Sequence, residues 1–279
     1  MFGLGLIAVA SLFEEFSNAI GKKKITEWAD NLYIVGFFSN FWGMLVLLVI
    51  GISKGNEFIF SLSSLPTFLP RIILEIILAH VSLKALAKAD RSLHSFIRII
   101  TLPLLLVIDI VLGYSISPHQ IFGICLIVVA LIVLFSRKGI SKNGAGLNIL
   151  SAVLATATIT LYKYDISHFN SVTAEQGLVA LFMAAYFFLI ILWRGEKNPF
   201  YSLRDKAFLG QSIAITLAGV IGSFAYLFGA ASIITAGKRA IAVLYSIISG
   251  RLYFHEKSLL ARVVVLVLII LGIILIVTK

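Results

Sequence analysis

The sequence has few charged residues and a single cysteine. Only 13% of its 279 residues are charged, whereas a soluble domain carries about 25%. Its longest polar stretch, residues 193–206, has the length of a loop. Together these two features exclude a soluble domain. The lone cysteine, Cys125, excludes an intrachain disulfide.

Enzyme signatures are also missing. The sequence contains no HExxH and no P-loop, and its 5 histidines are not spaced as a metal site. A missing P-loop excludes a pump driven by nucleotide hydrolysis. We therefore expect no enzymatic activity, no cofactor and no bound metal.

Long apolar runs fill most of the chain, since 60% of its residues are hydrophobic. A helix that crosses a bilayer needs about 20 such residues. The sequence therefore predicts an all-α membrane protein with multiple transmembrane helices. The predicted spans are 2–20, 31–52, 70–88, 92–112, 119–136, 146–165, 173–193, 207–229, 235–254 and 260–278.

Two short matches between distant segments indicate an internal duplication. GKKKIT after span one matches YKYDIS after span six at an offset of 141, and FGICLIVVALIVLF in span five matches VVLVLIILGIILIV in span ten at an offset of 142. A unit of five helices is odd, so its second copy must cross the membrane in the opposite direction. We expect two inverted five-helix repeats, 1–140 and 141–279, an arrangement typical of secondary transporters.

The formal charge of +10 bears on orientation rather than on nucleic acid, because basic residues collect in cytoplasmic loops of membrane proteins. Most Lys and Arg residues fall in loops after odd-numbered spans, which predicts that both termini lie outside. Basic residues assigned to the opposite side are Lys54, Arg71, Lys163, Lys238, Arg239 and Lys279.

Segment 79–135 resembles the closing half of a repeat in the EamA-type transporters of the drug/metabolite transporter superfamily. Segment 222–277 resembles it more closely, and SGRLYFHEKSLLAR within it is similar to the glycine, aromatic, Glu-Lys and arginine signature of that family. The resemblance implies a ten-span transporter whose termini usually lie in the cytoplasm, opposite to the charge count.

Two adjacent glutamates interrupt the first apolar run, in SLFEEFSN at residues 11–18. A carboxylate in the middle of a span costs about 2.5–3.5 kcal/mol, so it needs a partner or a function. Ser11, Glu15 and Asn18 share a helical face with Glu14, and we expect this polar face to point inward. The position of Glu14 also resembles that of an essential glutamate in the small multidrug transporters of the same superfamily.

Arg98 in span four is the partner that we expect for Glu14, because both lie about eight residues from the same membrane face. The pair could instead serve only to lock the two spans together. Lys163, near the end of span six, could bind an anionic group or extend to the membrane surface. A stripe of small residues on span eight would admit a neighbouring helix and bring Ser223 and Tyr226 to the substrate.

These observations predict a secondary active transporter of a small metabolite, located in the plasma membrane as a multi-pass protein. We expect alternating access and export coupled to protons. An exporter of hydrophobic cations and a lipid-handling accessory subunit without its own solute remain alternatives. The expected partners are a small-molecule substrate, protons or a counter-ion and the lipid bilayer. A homodimer is left open, and no nucleic acid is expected.

Overall fold

The computed structural model describes residues 2–28, 32–53, 58–88, 98–136, 145–194, 198–254 and 260–277. Within these ranges every regular element is helical. The α-helices are α1 (Phe2–Trp28), α2 (Leu32–Ser53), α3 (Leu65–Lys88), α4 (Thr101–Val111), α5 (Pro118–Ser136), α6 (Ala145–His168), α7 (Val172–Trp193), α8 (Lys206–Ala225), α9 (Ala231–Phe254) and α10 (Leu260–Val277). Short 3-10 turns precede α3, α4 and α8 and follow α8.

Each predicted span overlaps one of these helices. The largest extension is in α1, which continues to Trp28 instead of ending at residue 20. Hydropathy marks where an apolar run ends, and a helix can continue into polar sequence that contains no proline. Part of predicted span four, residues 92–97, lies outside the described residues.

Five of the described helical segments are long and apolar enough to cross a bilayer. They are 33–53, 62–82, 145–168, 172–193 and 206–228. Large apolar side chains are also widely exposed, including Val49, Val107 and Trp193. Such a surface is expected where lipid replaces water. The chain is therefore an all-helical protein with several helices suited to a membrane.

Local sequence signals set several helix ends. The Ser171 side chain accepts a hydrogen bond from the Ala174 backbone at 3.2 Å and so caps α7. Asp205 caps α8 in the same way, accepting from the Ala207 backbone at 2.8 Å. Gly113 follows α4 with a φ of 80°, a conformation that favours glycine.

Helices from the first half of the chain pack mainly against helices from the second half. The pairs with the most extensive contact are α1 with α8 and α9, α2 with α7 and α8, α3 with α6, α4 with α9, and α5 with α10. Smaller contacts join α3 with α7 and α4 with α6.

The predicted small-residue stripe on α8 is confirmed as the surface that receives α1. Gly222 faces Ala10, and a Cβ built on Gly3 would lie 3.0 Å from the Ala225 carbonyl oxygen. Ser17 donates a hydrogen bond to the Gln211 carbonyl oxygen at 3.3 Å. Because α1 residues of rising number meet α8 residues of falling number, the two helices are antiparallel.

Candidate functional site

A charged contact forms where α1 packs on α9. Glu14 Oε2 lies 3.1 Å from Lys238 Nζ, and each side chain is about one-third exposed, at 33% and 34%. The next residue on α9, Arg239, also interacts electrostatically with Glu14. One carboxylate from the first half of the chain thus faces two cations from the second half.

Glu14 occupies the packed side of α1. Ile7, Ala10, Ser11 and Ser17 are buried on this helix, and Glu14 follows Ala10 by four residues and precedes Ser17 by three. Residues at this spacing lie on one face of a helix. Glu14 is therefore directed at the neighbouring helices rather than at lipid.

Lys163 on α6 is buried instead of reaching the membrane surface. Only 7% of the residue is exposed, and its ammonium donates a hydrogen bond to the Tyr226 carbonyl oxygen at 2.6 Å. It also interacts electrostatically with Asp109 and lies 5.5 Å from the centre of the Tyr114 ring. The alternative in which Lys163 extends to the surface is wrong, because these contacts satisfy the ammonium internally.

Tyr226 connects Lys163 to the charges on α9. Its hydroxyl lies 3.1 Å from the Thr235 hydroxyl, its ring packs edge-on against Tyr162, and it interacts electrostatically with Arg239. The Tyr162 hydroxyl donates to the Ser223 carbonyl oxygen at 2.9 Å. We call this set the α9 cluster; it consists of Glu14, Asp109, Tyr162, Lys163, Ser223, Tyr226, Thr235, Lys238 and Arg239.

Several polar atoms in and beside the α9 cluster lack a hydrogen-bond partner among the described residues. They are Arg239 Nε, Ser232 Oγ and Ser11 Oγ, and all three are buried. A buried polar group without a partner costs about 1–3 kcal/mol. Unused donors at this position suit a polar ligand that supplies the missing acceptors.

The structure brings together some of the predicted site residues and separates others. Lys163, Ser223 and Tyr226 lie together, and Glu14 approaches them through Arg239. Glu15 is half-buried. The expectation that Asn18 points inward is wrong, because its side chain is exposed while Ser17 next to it is buried.

The expected contact between Glu14 and Arg98 falls on a side chain outside the described residues. The backbone of Arg98 begins a 3-10 turn before α4. The partner that the structure gives to Glu14 is Lys238, a residue that the sequence reading assigned to the membrane flank. The reason is that α9 begins at Ala231, so that Lys238 lies two turns inside the helix.

A second charged group lies where α3, α6 and α7 meet, and sequence reasoning missed it. Arg71 Nη1 donates to Glu175 Oε1 at 2.5 Å, and both side chains are almost fully buried, at 2% and 0% exposure. Arg71 Nη2 also donates to the Gln176 side chain. The guanidinium lies 4.5 Å above the centre of the Tyr162 ring, which joins this group to the α9 cluster.

Asp165 completes this second group, which we call the α3–α6–α7 junction: Thr67, Arg71, Asp165, Asn170, Glu175 and Gln176. Asp165 is fully buried, and its Oδ1 lies 2.5 Å from the Thr67 hydroxyl. Asn170 donates to Glu175 Oε2 at 2.6 Å. The one available signal was Arg71 itself, which lies in an apolar run four residues before Glu75. Glu75 does interact with Arg71, and it accepts a hydrogen bond from Thr158.

In the part of the chain that the structure describes, no three His, Cys, Asp or Glu side chains are grouped to hold a metal ion. Both charged groups instead consist of cations, carboxylates and hydroxyls.

Comparisons with known proteins establish the fold alone. No protein-family model matches the chain, and no match is found among curated proteins. Among solved structures 28 chains are similar. One is a crystal structure of a protein with 16% sequence identity and a TM-score of 0.72, and the match covers 98% of this chain and 95% of that chain. A solved protein of nearly the same length thus has the same overall helical arrangement.

Proposed function

We propose that this protein is a secondary active transporter that moves a small polar metabolite across the plasma membrane by alternating access. The observation that carries the proposal is the α9 cluster. Its charges come from α1, α4, α6 and α9, and so from both halves of the chain. Ionisable residues among membrane helices are costly and usually mark a substrate or ion path. The proposal includes no cofactor and no catalysed reaction.

We further propose that all ten helices cross the membrane and that residues 1–140 and 141–279 form inverted repeats. The packing supports this relationship. When each helix is replaced by its equivalent in the other half (α1 by α6, α2 by α7, and so on), the contact α1–α8 becomes α6–α3, α1–α9 becomes α6–α4, and α2–α8 becomes α7–α3. All of these contacts are present. The pairs α2–α7, α4–α9 and α5–α10 convert into themselves.

Individual contacts agree with the offset that the sequence matches give. Leu47 contacts Gly177 on α7. The residue 141 positions after Leu47 is Phe188, and the residue 141 positions before Gly177 is Gly36. The repeat therefore predicts a contact between Gly36 and Phe188. Gly36 packs against the ring of Phe187, one position from Phe188. A binding site between repeats of this kind can open to either side when one half moves against the other.

The charges of the α9 cluster favour a polar metabolite over a hydrophobic cation. Lys163, Lys238 and Arg239 would repel a cation unless each remains paired. A metabolite with an anionic group could instead replace Glu14 as the partner of Lys238 and Arg239. Protonation of Glu14 would free those two cations for the substrate, and its deprotonation would displace the substrate. Binding of the proton and of the substrate would therefore be coupled.

The test begins with a search for the substrate. Purified protein should be screened by thermal shift against individual amino acids, nucleosides, organic acids and organic cations. The compound that raises the melting temperature most is then followed, in radiolabelled form, in liposomes containing the protein and under an imposed pH gradient. We expect saturable movement of the compound that depends on the gradient.

Variants connect the activity to the site. Glu14→Gln and Glu15→Gln remove the two candidate proton carriers, whereas Asp205→Asn alters the cap of α8, away from the α9 cluster, and serves as the matched control. We expect Glu14→Gln to lose coupled transport and the control to retain it. Normal transport by both glutamine variants would remove the proton role. If no compound in the screen shifts the melting temperature, the accessory-subunit alternative would be favoured.

A further inference from the structure

The α3–α6–α7 junction contains more carboxyl groups than basic groups. Its charged groups are one guanidinium, Arg71, and two carboxyl groups, Asp165 and Glu175, with exposures of 1%, 0% and 0% for the three residues. Arginine remains charged in proteins. If both carboxyl groups were ionised, the buried junction would hold one uncompensated negative charge. Burying such a charge is costly unless it is paired or neutralised.

Both oxygens of Glu175 already receive donors. Arg71 donates to Oε1 at 2.5 Å, and the Asn170 amide nitrogen donates to Oε2 at 2.6 Å. The orientation of that amide is fixed, because the Asn170 side-chain oxygen accepts from the Ser61 backbone at 2.9 Å. Glu175 is therefore the ionised member that forms the ion pair with Arg71.

Asp165 lacks the donors that an ionised carboxylate needs. Its Oδ2 is buried and has no donor among the described residues. Its Oδ1 lies 2.5 Å from Thr67 Oγ1, but that hydroxyl also lies 2.8 Å from the Ser64 carbonyl oxygen. A hydroxyl has a single hydrogen, and the Ser64 carbonyl can only accept. The two contacts cannot both be made unless Asp165 provides a hydrogen of its own.

The groups that face Asp165 are compatible with a proton on its carboxyl group. They are Thr67 and Arg71 from α3 and Glu175 from α7, whose carboxyl group is close enough to share a hydrogen bond with Asp165. Of the charged groups nearby, Lys163 donates to the Tyr226 carbonyl oxygen, and Glu75 interacts with Arg71. One proton on Asp165 would balance the charge and satisfy the unpaired oxygen.

We propose that Asp165 holds a proton while α3, α6 and α7 are packed together and releases it to water when they separate, which makes it a proton-binding site distinct from Glu14. The released proton passes to solvent and leaves Asp165 as a carboxylate, whose charge then opposes closing of the junction beside Glu175. The use of this proton in transport rests on the proposed function, but its presence on Asp165 does not.

Infrared spectroscopy tests the proton directly and needs no substrate. Protein in lipid bilayers at pH 7 should show the carbonyl stretch of a protonated carboxyl group. Labelling with carboxyl-¹³C aspartate should shift this band to lower frequency even if no variant folds. We expect Asp165→Asn to abolish the band, and Asp205→Asn, a matched change of an aspartate outside the junction, to leave it intact.

Proton release gives a second measure. When the protein unfolds in detergent at pH 7, wild type should release about one more proton than Asp165→Asn, as a pH-indicator dye would record. The proposal is overturned if no carboxyl band shifts with the aspartate label. It is also overturned if the band survives Asp165→Asn and disappears in Asp109→Asn or Glu175→Gln.

The two proposals can fail separately. A labelled band that depends on Asp165, in a protein that transports none of the screened compounds, would keep the proton site and remove the transport function. Coupled transport without an aspartate band would keep the transport function and remove the proton site.

Discussion

Arg71 has the largest fully buried side chain among the described residues, ahead of every aromatic one. Its guanidinium lies within hydrogen-bond distance of Glu175 and Gln176 and stacks on Tyr162. A buried ion pair of this kind adds little net stability relative to apolar residues, but removing one partner leaves the other uncompensated. Loss of Arg71 alone should therefore lower the free energy of unfolding much more than loss of both Arg71 and Glu175.

Arg71→Met should therefore lower the free energy of unfolding by about 3–5 kcal/mol, and Arg71→Met combined with Glu175→Met should restore most of it. The reason is that the double variant removes both members of the Arg71–Glu175 ion pair. Chemical unfolding in detergent measures both. The matched control is Arg204→Met, which changes an exposed arginine and should cost less than about 0.5 kcal/mol. A double variant as unstable as the single one would contradict this prediction.

Helices α5 and α10, one from each half of the chain, approach each other closely at two glycines. A Cβ built on Gly123 would lie 2.8 Å from the Gly272 carbonyl oxygen, and one built on Gly272 would lie 3.0 Å from the Gly123 carbonyl oxygen. Neither contact can relax by a change of side-chain rotamer, because both partners are backbone atoms. These two glycines allow the helices to pack at a distance that any other residue prevents.

Gly123→Ala should consequently destabilise the protein by about 1–3 kcal/mol, the usual cost of overpacking. Gly219→Ala is the matched control, because a Cβ there meets nothing within 4 Å, and alanine favours a helix over glycine by about 1 kcal/mol. We expect the melting temperature to fall in the first variant and to stay or rise in the second. An equal change in both would mean that α5 and α10 pack more loosely than described.

The start of α9 depends on a residue from another helix. Asp109 Oδ2 accepts a hydrogen bond from the Ser232 backbone at 2.6 Å, and Asp109 is buried. Asp109 therefore caps the N-terminus of α9 from a different helix. It also interacts electrostatically with Lys163.

Asp109→Ala should cost about 0.5–2 kcal/mol for the lost cap, together with the cost of leaving Lys163 without its carboxylate. Asp109→Asn keeps an acceptor for the Ser232 backbone and should be less destabilising than alanine. The order of melting temperatures, wild type above asparagine above alanine, checks the prediction. If the alanine variant were as stable as wild type, α9 would not need this cap.

The positions of the helices were predictable from the sequence, but the ionic contacts were not. Apolar runs fix helix positions, because backbone polar groups in lipid must be satisfied within the helix. Lys238 and Arg71 were assigned to membrane flanks, since composition alone favours placing a base at the end of an apolar run. Their partners, Glu14 and Glu175, lie in the other half of the chain. Such pairings depend on how the halves pack, which no local pattern records.

The same pairings change the argument for orientation. Arg71, Lys163, Lys238 and Arg239 were counted as basic residues on the outer side, yet all four make contacts between helices. Basic residues inside the packed helices carry no orientation signal, because that signal comes from loops. Without these four residues the outer side keeps Lys54 and Lys279, and the orientation with both termini outside stays a prediction.

This orientation predicts which loop cysteines a membrane-impermeant maleimide can reach. In a Cys125→Ser background, Ser141→Cys introduces a thiol between the two repeats, and Asn56→Cys introduces one in the loop after span two. Intact cells should label the variant at position 56, and inverted vesicles should label the one at 141, since successive loops face opposite sides. The reversed pattern would place the termini in the cytoplasm, as the family resemblance implies. Labelling of both positions from both sides would mean that the chain inserts in two orientations. The proposed inverted repeats would present nearly equivalent halves to the membrane, so that only an asymmetry in loop charge would prevent this outcome.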